Sequence, residues 1–260
     1  MKIAWQHFLK YRPLLKELVK RDLRLKYRRS FLGYLWSLLN PLMMMGIMTI
    51  VFSYMFKSNI ENFPLYLICG NTLFSFFNES TNMAMFSVMN NGALIRKVYI
   101  PKFIFPVSRV LSCFVTMSFS LVAILIVMLF TRSAIHWTLL LFWVPLAFLL
   151  IFCIGIGMIL SAISVFFRDV THLYGVVTIA WMYLTPIFYP VDPQFLPIQV
   201  IRIIQMNPLY HFITFFRQVV IYGTIPSVQS WAFCILSCAG ALVIGLAVFR
   251  KLQKNFILYL

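Results

Sequence analysis

Few side chains in this chain of 260 residues could support acid–base catalysis or bind a metal. Its six acidic residues form no evident catalytic pair, and its four histidines lie far apart without an HExxH motif. Gly155 and Gly157 resemble the start of a dinucleotide-binding loop, but Leu160 stands where the third glycine belongs. A GxxxxGK[ST] phosphate loop is also missing. The sequence therefore predicts a protein that is not an enzyme, binds no metal or cofactor, and does not hydrolyse ATP itself.

The composition indicates an integral membrane protein. Hydrophobic residues make up 62% of the chain and aromatic residues 17%, whereas an ordinary soluble domain is about 45–50% apolar. A membrane-spanning helix needs about 20 mostly apolar residues. We expect an all-α fold with one transmembrane domain over 31–260. Its six predicted transmembrane helices are 31–56, 63–89, 103–130, 138–166, 171–189 and 229–249.

The distribution of positive charge predicts the orientation. A net charge of +16 would suggest nucleic-acid binding in a soluble protein, but here the charges flank apolar runs, and retention of Lys and Arg on the cytosolic side explains them better. With both termini cytosolic, eighteen basic residues fall inside and four outside (Lys57, Arg132, Arg202 and Arg217). No cleavable signal is recognisable in the first 30 residues. The five cysteines lie in apolar runs and are interpreted as small hydrophobic residues.

Residues 1–30 predict a cytosolic amphipathic helix. Pro13 suits the first turn of a helix, and Leu14 and Leu18 repeat at four-residue spacing. Glu17 with Arg21, and Asp22 with Lys26, form acid-before-base pairs that support a helix. We expect this helix to lie along the inner membrane surface. The alternative is that its charges serve only as a topology signal.

Two further segments differ from plain spans or loops. Residues 190–222 contain apolar pieces interrupted by proline that are too short to cross a membrane, which predicts short re-entrant helices forming an outer gate. A buried hairpin would fit equally well. The stretch LIRKVYIPKF (94–103) places an apolar face beside Arg96 and Lys97 on the predicted cytosolic side. A short helix over 92–100 could dock on a soluble subunit, and an ordinary positively charged loop is the alternative.

The chain resembles the transmembrane subunit of type-2 ABC exporters for bacterial surface polysaccharides, of the Wzm, KpsM and TagG types. The resemblance rests on RDLRLKYRRSFLGYLWSLLNPL (21–42), NNGALIRKVYIPKFIFPVSRV (90–110), FFRDV (166–170) with TPIFYP (185–190), and NPLYHFITFFRQVVIYG (207–223). It implies a homodimer in the bacterial cytoplasmic membrane, with two cytosolic ABC ATPase subunits that bind ATP and magnesium, exporting a lipid-linked glycan of the O-antigen, capsule or teichoic-acid type. The implied coupling residues are Gly92, Leu94, Ile95, Arg96, Lys97, Val98 and Tyr99.

A polymer passage should bind sugars weakly, and aromatic rings suit this because they pack on sugar faces without requiring one hydroxyl pattern. Any one of these rings could instead face lipid. The candidates are Tyr34, Trp36, Phe52, Tyr54, Phe74, Phe76, Phe77, Tyr183, Phe188 and Tyr189.

Arg28 and Arg29 could steer a lipid diphosphate, because guanidinium groups bind phosphate oxygens in pairs; they could also be simple retention charges. Rival functions stay open. They are a gradient-driven flippase dependent on Glu79, a glycolipid enzyme, a scaffold, and an ABC exporter of a smaller lipid or drug.

Overall fold

The computed structural model describes residues 2–28, 32–56, 62–98, 100–193 and 196–259, and these residues form helices and no strand. The all-helical prediction is confirmed for this part of the chain. The longer helices are α1 (Lys2–Tyr27), α2 (Trp36–Phe56), α3 (Phe63–Met85), α6 (Ile104–Phe130), α7 (Trp143–Ser164), α8 (Val170–Leu184) and α11 (Val228–Leu252). The shorter ones are α4 (Ser87–Asn90), α5 (Gly92–Lys97), α9 (Ile198–Gln205), α10 (Pro208–Arg217) and α12 (Phe256–Tyr259).

Four helical segments in the described residues are long and apolar enough to cross a membrane, which makes this a multi-pass membrane protein. The other two predicted spans fall on α3 and α8. Helix α3 has 23 residues but carries Asn71, Asn78, Glu79 and Asn82, and α8 has 15 residues. The four segments are Gly33–Val51, Ile104–Phe130, Trp137–Ser164 and Val228–Asn255.

Helices α7 and α11 pack with their backbones in close approach. A Cβ atom added to Gly155 would lie 2.4 Å from the Ala241 carbonyl, and one added to Gly245 would lie 2.4 Å from the Gly155 oxygen. Gly155 and Gly245 therefore permit this close approach, because a side chain at either position would push the backbones apart. Gly157 instead faces Ala84 on α3.

Helix α1 begins at Lys2, so the prediction that Pro13 starts it is wrong, and Pro13 lies inside the helix. Its apolar stripe also packs differently from the expectation. Leu18 is 5% exposed and belongs to a cluster with Ile95 of α5 and Phe249 of α11. This part of the stripe therefore packs on protein, because α5, α6 and α11 present apolar side chains there.

The predicted gate region, 190–222, forms α9 and α10 followed by a π-helical turn over Gln218–Tyr222. Helix α10 is buried: Leu209, Phe212 and Phe216 belong to the main core. Helix α9 is more open, with Ile198 67% exposed. Gly223 ends the π turn at φ +64°, and a Cβ there would lie 2.4 Å from His136, so both conformation and space require glycine.

Candidate functional site

The predicted coupling helix coincides with α5, Gly92–Lys97. Its first turn and apolar face point into the protein: Gly92 and Ile95 are buried, and Leu94 is half-buried. Leu94 and Ile95 therefore pack in the cluster with Leu18, Val98 is 50% exposed, and docking of this helix on a partner stays a prediction. The side chains of Arg96 and Lys97 on α5, and of Val98 directly after it, are exposed. Tyr99 lies outside the described residues.

A buried ion pair joins α1 to α6 next to this helix. Asp22 is 5% exposed, and its carboxylate lies 3.0 Å from Arg109 Nη1 and 3.2 Å from Arg21 Nη2. The Ser112 hydroxyl donates to the same carboxylate at 3.4 Å. Arg21 also donates to the side-chain oxygen of Asn91, the residue that precedes α5. The helix α1, the start of α5 and α6 therefore share one polar cluster.

The predicted pairs within α1 form differently. Glu17 contacts Lys20 at 3.0 Å, and Asp22 turns to Arg109. Lys26 reaches across to Glu79 on α3 and forms an ion pair with it. The predicted Asp22–Lys26 pair is wrong because each residue pairs with a partner on α6 or α3. The predicted Glu17–Arg21 pair is wrong because Glu17 pairs with Lys20, and Arg21 contacts Asp22 and Asn91.

The end of the chain packs beside this polar cluster. Lys102 donates to the backbone oxygen of Gln253 at 2.7 Å, just beyond the end of α11. Phe256 is fully buried against Phe249 and Phe166, and the ring of Tyr259 lies 4.8 Å from that of Phe166. The apolar terminal segment thus completes the apolar cluster that holds α5, and Lys102 of LIRKVYIPKF anchors α11 instead of facing outward with Arg96.

Three of the predicted channel aromatics lie in the core of a single chain. Phe74, Phe76 and Phe77 are 4%, 3% and 0% exposed. Phe77 contacts Trp181 and Phe152, with ring centroids 5.0 and 6.1 Å apart. The structure does not place Phe74 or Phe77 on an open surface. Their prediction as channel residues is corrected, because they lie on the face of α3 that packs against α7 and α8.

Other candidate aromatics are accessible. Tyr34, Trp36 and Tyr183 are 45%, 46% and 64% exposed. Phe188 and Tyr189 are half-buried, and the Tyr189 hydroxyl donates to the Tyr183 carbonyl at 2.8 Å. The remaining two candidates, Phe52 and Tyr54, lie on α2, but their side chains are outside the described part of the chain.

Arg217 is a buried cation that the sequence analysis placed outside the membrane. It is 3% exposed and ends α10. Its guanidinium donates to the carbonyls of Tyr66, Pro186 and Ile187 at 3.0, 2.8 and 3.1 Å, and lies 3.3 Å from the centre of the Tyr66 ring. Arg217 therefore ties α10 to the start of α3 and to the TPIFYP turn. In the sequence, a single arginine within an apolar run was the signal that could have indicated this buried site.

Asn207 makes a second connection at this turn. It is 5% exposed and caps α10 by accepting from the Leu209 amide at 3.0 Å. The same oxygen accepts from Trp181 Nε1, and the amide nitrogen donates to Thr185 Oγ1, both at 2.8 Å. Every polar atom of this side chain thus helps fix α8 relative to α10.

A polar cavity of about 370 Å³ lies between α2, α3 and α6. It was missed in the sequence, although Asn71, Ser75 and Glu79 repeat at four-residue spacing along α3. That spacing places them on one face of the helix. The Lys26–Glu79 ion pair closes part of the cavity wall. The lining residues are Lys26, Trp36, Ser37, Asn40, Pro41, Met44, Asn71, Thr72, Ser75, Phe76, Glu79, Cys113, Thr116, Met117 and Ser120.

Arg28 lies in a shallow groove along α1. Arg28 itself is exposed. The residues that line the groove are Glu17, Lys20, Arg21, Arg24, Leu25 and Arg28. Such a concentration of cations could attract an anionic group. Arg29 lies outside the described residues.

These features define a membrane transport subunit, and the comparison with known proteins supports that class. The chain matches the family described as "ABC-2 type transporter" over residues 13–221. That match covers most of the chain, so the protein belongs to the ABC-2 type transporter family. The resemblance inferred from the four sequence stretches is thereby confirmed.

Individual relatives narrow the similarity. The chain is 30% identical over 250 residues to O-antigen export system permease protein RfbA of Klebsiella pneumoniae, which covers 94% of this chain and 93% of the relative. It is 32% identical over 182 residues to RfbA of Myxococcus xanthus, covering 70% of each chain. It is 24% identical to polysialic acid transport protein KpsM of Escherichia coli, covering 90% of this chain and 91% of the relative.

Proposed function

We propose that this chain is the membrane-spanning subunit of an ATP-driven exporter that moves a lipid-linked polysaccharide across the bacterial cytoplasmic membrane. The observation that carries the proposal is its similarity, over nearly the full length, to permeases named for O-antigen and polysialic acid transport. On this proposal α3 and α8 also cross the membrane, giving six spans, and both termini lie in the cytosol. ATP and magnesium bind the partner ATPase, and this chain binds neither.

The partner ATPase contacts α5 through its exposed cations. Arg96 and Lys97 project from a helix whose other side is buried, so force applied to these two residues acts on a firmly packed element. The polar cluster of Arg21, Asp22 and Arg109 joins that element to α1 and α6. Two ATPase subunits would serve a homodimer of this chain.

The glycan passes between the two copies along the exposed faces of α2 and α8. Helix α8 exposes Val176, Ile179 and Tyr183, and α2 with the turn before it exposes Tyr34 and Trp36. Two copies that meet near these faces enclose a passage with aromatic walls, which suit weak contact with sugar rings. The groove of α1 that contains Arg28 presents positively charged side chains to the lipid diphosphate before the substrate enters the passage.

The coupling assignment is tested by charge reversal. Cells carry the tagged permease with its neighbouring ATPase, and the complex is purified in mild detergent from wild type and from Arg96→Glu/Lys97→Glu. We expect the ATPase to be lost from the variant and surface glycan to disappear. The control is Arg250→Glu/Lys251→Glu, which reverses two exposed adjacent cations at the end of α11. The control should keep the ATPase. Retention of the ATPase by the first variant, or equal loss from the control, would contradict the assignment.

Export of a smaller lipid or drug is the alternative substrate, and a gradient-driven flippase is the alternative mechanism. The flippase requires activity without an ATPase and strong dependence on Glu79, which forms an ion pair with Lys26. Reconstituted permease without ATPase should therefore move no glycolipid. Transport that persists under those conditions would favour the flippase.

A further inference from the structure

The polar cavity between α2, α3 and α6 has the dimensions of a ligand site. Its volume of about 370 Å³ falls within the roughly 300–1,000 Å³ of small-molecule pockets. The cavity lies within one chain and does not include the exposed α8 aromatic Tyr183. It shares Trp36 with the proposed passage between two copies and therefore adjoins that passage.

The polar groups in the wall match a polyhydroxylated ligand. They comprise two amide side chains, five hydroxyl side chains and one ion pair. Amides and hydroxyls can each donate and accept, so they can pair with sugar hydroxyls in either sense. Trp36 and Phe76 add aromatic rings, which pack against the apolar faces of sugars.

One hydroxyl in the wall is without a protein partner. Thr72 is 4% exposed, and its Oγ1 makes no hydrogen bond within the described chain. Neighbouring hydroxyls are satisfied: Thr116 donates to the Ser112 carbonyl at 3.2 Å, and Ser120 donates to the Ser37 carbonyl at 2.8 Å. A buried polar group without a partner lowers stability unless a ligand or water pairs with it. Thr72 lines the cavity while its Oγ1 is enclosed by neighbouring atoms, so rotation of the side chain would bring this unpartnered hydroxyl to a ligand.

The charge of the wall limits which ligand fits. Lys26 and Glu79 are in contact with each other, so the cation and the carboxylate cancel. The other lining side chains carry no formal charge. An acidic sugar would lose the hydration of its carboxylate in a wall without net positive charge, whereas a neutral sugar would meet groups that can hydrogen-bond to it.

We propose that this cavity binds one neutral sugar unit and disfavours acidic sugars. The inference rests on the proposed function only for the origin of the sugar, which would be the exported glycan. Thr72, Asn71 and Ser75 supply hydrogen bonds, Trp36 packs on the ring, and the neutralised Lys26–Glu79 pair offers an acidic sugar no net positive charge. The cavity would hold a sugar beside the passage and bias the exporter toward uncharged polymers.

The first test measures sugar binding by saturation-transfer NMR on the purified chain in lipid nanodiscs. The probes are methyl glycosides of mannose, galactose, glucose, rhamnose and N-acetylglucosamine, with N-acetylneuraminic acid as the acidic probe. We expect at least one neutral glycoside to bind and the acidic sugar to give a much weaker signal. Binding of none of the neutral probes, or equal binding of the acidic sugar, would overturn the proposal.

Thr72→Val separates a ligand role from a structural one. Valine has a similar shape without the hydroxyl, so its removal should leave Tm unchanged or raise it. Sugar affinity should fall about fivefold, the effect of losing one hydrogen bond. The control is Thr178→Val, because the Thr178 hydroxyl is paired with the Tyr174 carbonyl at 2.7 Å outside the cavity. Unchanged affinity in Thr72→Val would overturn the proposal.

Glu79→Gln tests the charge argument. It leaves Lys26 without its carboxylate and gives the wall a net positive charge, so N-acetylneuraminic acid should bind at least several-fold more tightly than to wild type. No gain would contradict the role of the ion pair. These measurements use no ATPase and no export. If sugar binding depends on Thr72 but no ATPase copurifies with the wild-type chain in the charge-reversal experiment, the proposed function alone is disproved. If export is normal but no sugar binds, this inference alone is disproved.

Discussion

Replacing Arg217 should destabilise the protein more than replacing any exposed arginine. In Arg217→Met the carbonyls of Tyr66, Pro186 and Ile187 lose their guanidinium donor. A buried group left without its partner costs about 1–3 kcal/mol. The Tyr66 hydroxyl still reaches the Pro186 carbonyl at 3.3 Å, and removal of a buried charge returns part of the loss. We therefore expect a net cost of about 2–4 kcal/mol.

The measurement is the midpoint of thermal unfolding in detergent, followed as loss of the monodisperse peak in size-exclusion chromatography. By the scaling for soluble domains of similar size, about 2–4 °C per kcal/mol, this cost lowers Tm by roughly 4–16 °C. Arg217→Lys should recover only part of it, because an ammonium cannot reach all three carbonyls in the planar geometry of a guanidinium. Gly70→Ala should also destabilise, since its Cβ would lie 2.5 Å from Arg217 Nη2.

Arg202→Met is the matched control, because Arg202 is an exposed arginine on α9 close in sequence. It should change Tm by no more than about 1–2 °C, as expected for a surface substitution. If Arg217→Met unfolded at the same temperature as Arg202→Met, the three carbonyl contacts would contribute nothing to stability. Arg217 would then not hold the TPIFYP turn (185–190) in place.

Three further changes test other contacts. Gly155→Ala should cost about 1–3 kcal/mol by separating α7 from α11, whereas Gly240→Ala, which meets open space, should not lower Tm. Asp22→Asn should leave Arg109 without its counter-charge, which typically costs about 3–5 kcal/mol. It should also reduce glycan export per ATP hydrolysed by the complex, and unchanged coupling would contradict a transmitting role for the cluster. Phe256→Ala should lower Tm by removing a fully buried ring, at about 3–5 kcal/mol.

The sequence was sufficient to predict where the apolar helices lie but not which residues they contact. Apolar runs set the helices to within a few residues, because length and hydropathy are properties of the segments themselves. The position of α5 agrees with the short helix predicted over 92–100. The buried face of α5 did not follow, since burial of Ile95 depends on Leu18, which is 77 positions earlier in the chain and lies on another helix.

The aromatic residues show the same limit. Phe77 and Trp36 look alike in sequence, yet one is fully buried and the other is 46% exposed. The difference lies in their neighbours: Phe77 meets Trp181 and Phe152, whereas α2 packs against only part of α3 and α6. Polar residues were the more reliable signal, because a polar side chain in an apolar helix needs a partner or water. The four-residue spacing of Asn71, Ser75 and Glu79 was such a signal in the sequence, although it was not used to predict the cavity.

Helix α1 connects the two features on which the proposals depend. Arg21 contacts Asn91 at the start of α5, and Lys26, five residues further along the same helix, contacts Glu79 in the cavity wall. Five residues of α-helix span about 7.5 Å, so both contacts belong to one rigid segment. The intervening Asp22 is held by Arg109 of α6. A partner that displaces α5 would therefore act through α1 on the ion pair of the cavity, because Arg21 and Lys26 cannot move independently while the helix between them is intact.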